Sequence, residues 1–173
     1  MFRVLSGISA FVVFGFIVVL AVGYLAPVEY EGQVSEFFID RRAIIWQALI
    51  NVENIPKVKN DVEKIEIISN DRGLIAWKEI LPMGKYRSYR TIEKKEPYKY
   101  TINMFESTSG LTGEWTFFIS NSNNGTIVKV MEKSKNESVW LRGWQTILGR
   151  DTNLKKEMKI LRVSLFRRLI DTP

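Results

Sequence analysis

TIVKVMEKSKNESVWLRGWQTILGRDTNLKKEMKILRVSLFRRL, residues 126–169, changes its period partway along. Thr126 to Glu132 alternates as a strand does, with Val128 and Val130 on one face. From Trp144 onward the apolar residues Trp144, Ile147, Leu148, Leu154, Met158, Leu161, Leu165 and Leu169 recur at helical spacing. The opposite face carries Lys155, Lys156, Lys159, Arg162, Arg167 and Arg168. The pattern predicts a strand followed by one long amphipathic helix that closes the chain.

Upstream, Gly113–Ser120 alternates too, and Asn123-Asn124-Gly125 joins it to Thr126–Glu132 as a hairpin. Lys85–Lys94 and Tyr98–Ser107 read as strands separated by Lys95-Glu96-Pro97. Val62–Ser69 and Leu74–Leu81 flank the turn Asn70-Asp71-Arg72-Gly73, and Pro82-Met83-Gly84 punctuates again. Val34–Ile39 is a first strand. Asp40 is then the expected N-cap of a helix through Ile50, and Asn51–Lys57 is a short second piece broken by Pro56. The order implies an α+β fold, with a strongly curved antiparallel sheet of about six to seven strands wrapped around a long C-terminal helix.

The N-terminus is different in kind. Val4 to Ala26 contains no charged residue. As a helix at ~1.5 Å per residue it reaches roughly 34 Å, against about 30 Å for a hydrocarbon core. Tyr24 sits near one end and Pro27 just past it. Gly7, Gly15 and Gly23 form a small-residue stripe that can face another helix. The expected organisation is a transmembrane signal anchor over residues 1–27 and one domain over 28–173. A cleaved signal peptide is the alternative, although the run exceeds the usual ~7–15 residue apolar core of such peptides. Arg3 and the amino terminus flank one side, and Glu29, Glu31 and Glu36 the other. The positive-inside rule therefore expects a single-pass protein with a cytoplasmic N-terminus and a periplasmic or extracellular domain.

The 173 residues include neither cysteine nor histidine, which excludes disulfides, thiolate nucleophiles, Fe–S ligation and a Ser-His-Asp triad. Acid–base chemistry is left to Asp, Glu, Tyr and Lys. The net charge of +6 comes without a nucleic-acid-reading motif, so no nucleic acid partner is expected.

Several segments together resemble the START-like (SRPBCC, helix-grip) superfamily, close to its polyketide cyclase/dehydrase-like branch. They are FFIDRRAIIWQALINVENIPKVKNDVEKIEII at 37–68, Trp77-Lys78-Glu79, Glu96-Pro97-Tyr98-Lys99-Tyr100, and the Trp-containing hairpin from Gly113 to Thr126. The likeness covers residues 31–170. Where a tryptophan is frequent after the proline of the family's second helix, this chain has Lys57 and Val58. The resemblance implies a pocket between sheet and C-terminal helix for an apolar or amphipathic ligand. The family has no universal catalytic set, so no catalytic residue, metal ligand or cofactor is assigned.

Trp115, Phe117 and Ile119 share a strand face, and Glu79 shares the face of Trp77. The candidate lining residues are Trp46, Ile65, Ile67, Trp77, Glu79, Tyr89, Phe105, Trp115, Phe117, Leu154, Met158 and Leu161. The carboxylates Glu106, Glu114 and Glu132 and the phenols Tyr86, Tyr98 and Tyr100 are further polar candidates, with solvated or packing roles the plainer assignment. The expected function is a membrane-anchored module binding a lipid or lipid-like metabolite, with the bilayer as partner through residues 4–26. The alternatives are a structural partner within a membrane protein complex, its core filled, and a cofactor-independent cyclase or dehydratase.

Overall fold

The computed structural model describes the backbone of residues 2–171 and the side chains of residues 12–167. Arg3, Gly7, Arg168 and Leu169 lie outside the described side chains. The chain begins with helix α1 (Phe2–Leu25) and enters strand β1 (Glu29–Phe38) after only Ala26, Pro27 and Val28. The strand thus starts earlier than Val34, and no linker separates helix from sheet. Among the described residues no helix is long and apolar enough to cross a membrane. Of the uncharged run 4–26, the side chains of residues 12–26 are described.

Helix α2 (Arg42–Ile50) follows, capped at Arg41 without a side-chain hydrogen bond rather than by Asp40. A short 3-10 turn at Val52–Asn54 leads to α3 (Ile55–Val58), with Pro56 in its first turn, where a missing N–H costs nothing. Six strands come next: β2 (Lys64–Asp71), β3 (Leu74–Ile80), β4 (Tyr86–Lys95), β5 (Lys99–Ser107), β6 (Leu111–Ser122) and β7 (Gly125–Asn136). All neighbours are antiparallel, in the order β1-β7-β6-β5-β4-β3-β2. The β2–β3 turn places Arg72 at φ 50 and Gly73 at φ 83. Two successive left-handed residues match the right-handed twist of the flanking strands.

The long C-terminal helix expected from the spacing is two helices, α4 (Val139–Leu148) and α5 (Thr152–Asp171). The break is local. Gly149 adopts φ 97, where a side chain is strained, and the Thr152 hydroxyl donates to the Leu148 carbonyl oxygen at 3.2 Å. Helix α5 lies across the sheet, burying Leu154, Met158, Leu161 and Leu165 in one core with Trp46, Phe117, Val128 and Val130. Helix α4 instead packs against α1.

The α1–α4 contact is backbone against backbone. A Cβ at Gly143 would strike the Val19 carbonyl, and one at Gly23 would stand 2.8 Å from the Gly143 nitrogen. Gly15 meets nothing within 4 Å. Buried Arg142 donates through Nε to the Gly23 carbonyl and through one terminal nitrogen to the Asn136 and Glu137 carbonyls, each at 3.0 Å. Gly23 lies in the last turn of α1, where carbonyls lack helical partners, so the cation both caps the helix and ties it to the end of β7. Arg150 adds bonds to the Pro27 and Glu29 carbonyls at 3.1 and 3.3 Å.

Candidate functional site: the cavity under the C-terminal helix

A cavity of about 340 Å³ lies between the inner face of the sheet and α5. Its apolar wall comes from strands and helices alike: Trp77, Tyr89, Tyr100, Ile102, Met104, Trp115 and Phe117 from the sheet, Leu49 and Ile55 from the first helices, Leu161 from α5. Period two explains the sheet wall, since Tyr100, Ile102 and Met104 alternate on β5, and Trp115 and Phe117 on β6. Tyr89 stacks on Trp77 with ring centroids 5.2 Å apart.

Helix α5 carries two stripes. Leu154, Met158, Leu161 and Leu165 face the core, while Asn153, Glu157, Ile160 and Ser164 face the cavity together with Leu161. The cavity stripe is largely polar, so periodicity of apolar residues could not reveal it.

One end of the cavity is an ion network. Glu79, only 1% exposed, accepts from Lys59 Nζ at 3.4 Å and from Arg87 at 3.3 Å. Lys59 also donates to Glu157 at 3.3 Å. Arg87 reaches Asp61 at 2.9 Å, and Lys156 reaches the same carboxylate at 3.2 Å. Burial opposes the charge on Lys59, but Glu157 and Glu79 outweigh it and hold its pKa well above the usual lysine value. Burial likewise opposes charge on Asp61, yet the hydrogen bond from Arg87 and the Lys156 cation bring it down to about 2. Burial and the nearby Glu79 push the Tyr89 phenol well up. The network balances three cations with three carboxylates, so this wall is polar without net charge.

Glu132 is buried beneath the sheet's inner face, opposite Trp115 on the neighbouring strand. One carboxyl oxygen accepts from the Ser134 hydroxyl at 2.6 Å, and the other has no partner among the described residues. Burial raises its pKa, against the pull of the Ser134 hydroxyl. The indole nitrogens of Trp46, Trp77 and Trp115 are also buried without a partner among the described residues. Two of them, Trp77 and Trp115, belong to the cavity wall. Among the described residues no group of three or more acidic side chains is arranged to hold a metal ion.

The twelve candidate residues divide evenly. Trp77, Glu79, Tyr89, Trp115, Phe117 and Leu161 line the cavity. Trp46, Leu154 and Met158 lie in the packed core beside it, Trp46 edge-on to Tyr100 with centroids 6.1 Å apart. Ile65 and Ile67 stand on the inner face opposite Glu79 and Trp77. They belong to the edge strand, where Ile65 packs at the margin of the core and Ile67 is 46% exposed. Phe105 has the outward parity of β5 and lies under the Arg90 guanidinium, 5.7 Å from its ring centroid. Tyr100, Ile102 and Met104, on the other parity of the same strand, take the place Phe105 was expected to fill. Arg87 reaches Glu79 from the neighbouring strand and Lys59 from just beyond α3, while Glu157 joins through Lys59, and no sequence pattern marks them. Glu106 is exposed, where it accepts from the Tyr86 hydroxyl at 2.8 Å.

No family model matches the sequence, and no curated protein does. Solved structures do. The Zhui aromatase/cyclase from Streptomyces sp. R1128 superposes with a TM-score of 0.66 at 9% identity, over 82% of this chain and 96% of that one. The di-domain ARO/CYC StfQ of the steffimycin biosynthetic pathway gives 0.63 at 10% identity, over 79% of this chain. The chain spans only 50% of that protein's length. Norcoclaurine synthase from Thalictrum flavum, in its complex with dopamine and hydroxybenzaldehyde, gives 0.60 at 13% identity, over 83% and 91%. With a seven-stranded curved antiparallel sheet, a helix across its concave side and these structural relatives, residues 29–171 have the helix-grip fold found in polyketide aromatase/cyclases and norcoclaurine synthase.

Proposed function

We propose that the chain is a membrane-tethered helix-grip module that binds one hydrophobic or amphipathic molecule, a lipid or lipid-like metabolite, beneath α5. The cavity carries this reading. Its volume of about 340 Å³ falls in the range of small-molecule sites, roughly 300–1,000 Å³, and its wall is mostly apolar with the charged groups gathered at one end. The ligand's apolar body lies against Met104, Phe117 and Leu161. Its polar head meets the Lys59–Glu79–Arg87 network. The complex of norcoclaurine synthase with two small aromatic molecules supports a small-molecule occupant. Tethering rests on the uncharged run 4–26 and on the exposed apolar side chains of α1, among them Phe14, Phe16 and Ile17. Binding is favoured over turnover because each charged group of the network is already neutralised by a partner.

Solvent extraction of the full chain purified in mild detergent, followed by mass spectrometry, tests the proposal. One lipid species near one per chain is expected, reduced at least tenfold by Ile102→Trp, which fills the cavity from β5. A wild type that yields no bound molecule and does not bind a fluorescent fatty-acid probe would overturn it.

A further inference from the structure

Helix α4 is amphipathic in the wrong sense for a water-facing surface. Its one charged residue, Arg142, is buried, and Gln145 turns inward to accept from Asn136 at 3.0 Å. Trp144, Ile147 and Leu148 point outward, 39%, 48% and 67% exposed. Trp140 stands on the same side, tilted against Phe16 of α1 at 4.8 Å and edge-on to Trp144 at 5.7 Å. The apolar face of α4 is therefore continuous with the exposed apolar surface of α1.

Depth decides what covers this face. Counting back from Ala26 at ~1.5 Å per residue, Gly23 lies about 5 Å, Val19 about 10 Å and Phe16 about 15 Å inside the end of the uncharged run. These are the residues that α4 touches. A helix held against them cannot stay outside a bilayer that α1 enters. Its contacts at about 5–15 Å reach the depth of interfacial helices, whose apolar faces sink ~5–10 Å, and slightly past it, and its paired tryptophans match the aromatic belt.

We propose that α4 is a second membrane-contact element, its Trp140–Trp144–Ile147–Leu148 face immersed in the headgroup–acyl boundary beside α1. The inference rests on the tethered reading of α1. It adds that the bilayer touches the cavity's own wall, because Leu141 and Gln145 of the same helix line the cavity beside Ser109 and Leu111.

The chain has no cysteine, so a single introduced one is unique. Ile147→Cys, Leu148→Cys and, as a control beyond the far end of β1, Ile39→Cys are each spin-labelled in the full chain. All three sites are exposed and tolerate a label. The labelled chain is reconstituted in phosphatidylcholine–phosphatidylglycerol vesicles, and collision with oxygen is compared with collision with a water-soluble nickel chelate. The oxygen-to-nickel ratio at 147 and 148 is expected to exceed that at 39 by at least tenfold. Nickel access at 147 and 148 equal to that at 39 overturns the proposal. So do labels shielded from both reagents, which mean a protein surface or a second copy covers the face. Flotation separates the two readings. Chain that does not float with vesicles overturns the anchor and this proposal together, whereas floating chain with water-exposed labels overturns this proposal alone.

Discussion

Glu132 and Lys59 show how differently two buried charges can be treated. Glu132 keeps one oxygen unpartnered, and burial holds its pKa above the ordinary carboxylate value. The folded chain therefore binds this proton more tightly than the unfolded chain. Below the unfolded pKa both states are protonated and the site is neutral; as pH rises through the folded pKa, stability is lost. Glu132→Gln removes that loss, so the variant should be more stable than the parent at pH 7 and equal to it near pH 4. Denaturation at both pH values checks this, and an equal difference at the two would refute it. Lys59 instead neutralises two carboxylates at once. Lys59→Met should cost about 3–5 kcal/mol by leaving Glu79 short of a partner, and Lys59→Met with Glu79→Met should recover much of that loss. Failure of the second change to rescue would mean that packing, not charge, is what Lys59 supplies.

Helix α5 was legible because its core contacts are apolar and its sequence is long enough to show the period. Leu161 belongs to both of its stripes, so Leu161→Asp should unfold or aggregate the domain, while exposed Lys159→Asp should stay within about 0.5 kcal/mol of the parent. Circular dichroism melts separate the two, and equal tolerance would mean that α5 does not grip the sheet. The split from α4 was written in Gly149-Arg150-Asp151-Thr152, a C-terminal glycine followed by capping residues. A common helical period across both sides hides such a break. The partner of α4 was not legible at all, since apolar spacing does not say whether a face meets sheet, helix or lipid. Phe105 shows the same limit on a strand: alternation gives two faces, and only the neighbouring strands decide which is inner. Gly143→Val should push α4 from α1, because any Cβ there meets the Val19 backbone. The expected result is faster proteolysis after residue 25 with the α5 core intact. Unchanged protease resistance would show that the contact can be remade.

At the scale of the whole molecule, the curved sheet and its closing helix followed from the order of elements, and the cavity's volume did not, since cavity lining and core have the same composition. On the tethered reading, a reporter active only in the cytoplasm and fused after Pro173 should be silent, and full activity there would reverse the orientation inferred from Arg3 and Glu29. The bonds from Arg142 to Gly23 and from Arg150 to Pro27 and Glu29 leave no slack between helix and sheet. A domain on a loose tether samples a hemisphere and meets molecules arriving from the surrounding fluid. On the tethered reading, this one can only drift in the plane of the membrane and spin about the normal, its cavity held at one height and one tilt. Its search for a partner is then two-dimensional, set by lateral diffusion and the surface density of whatever shares its leaflet.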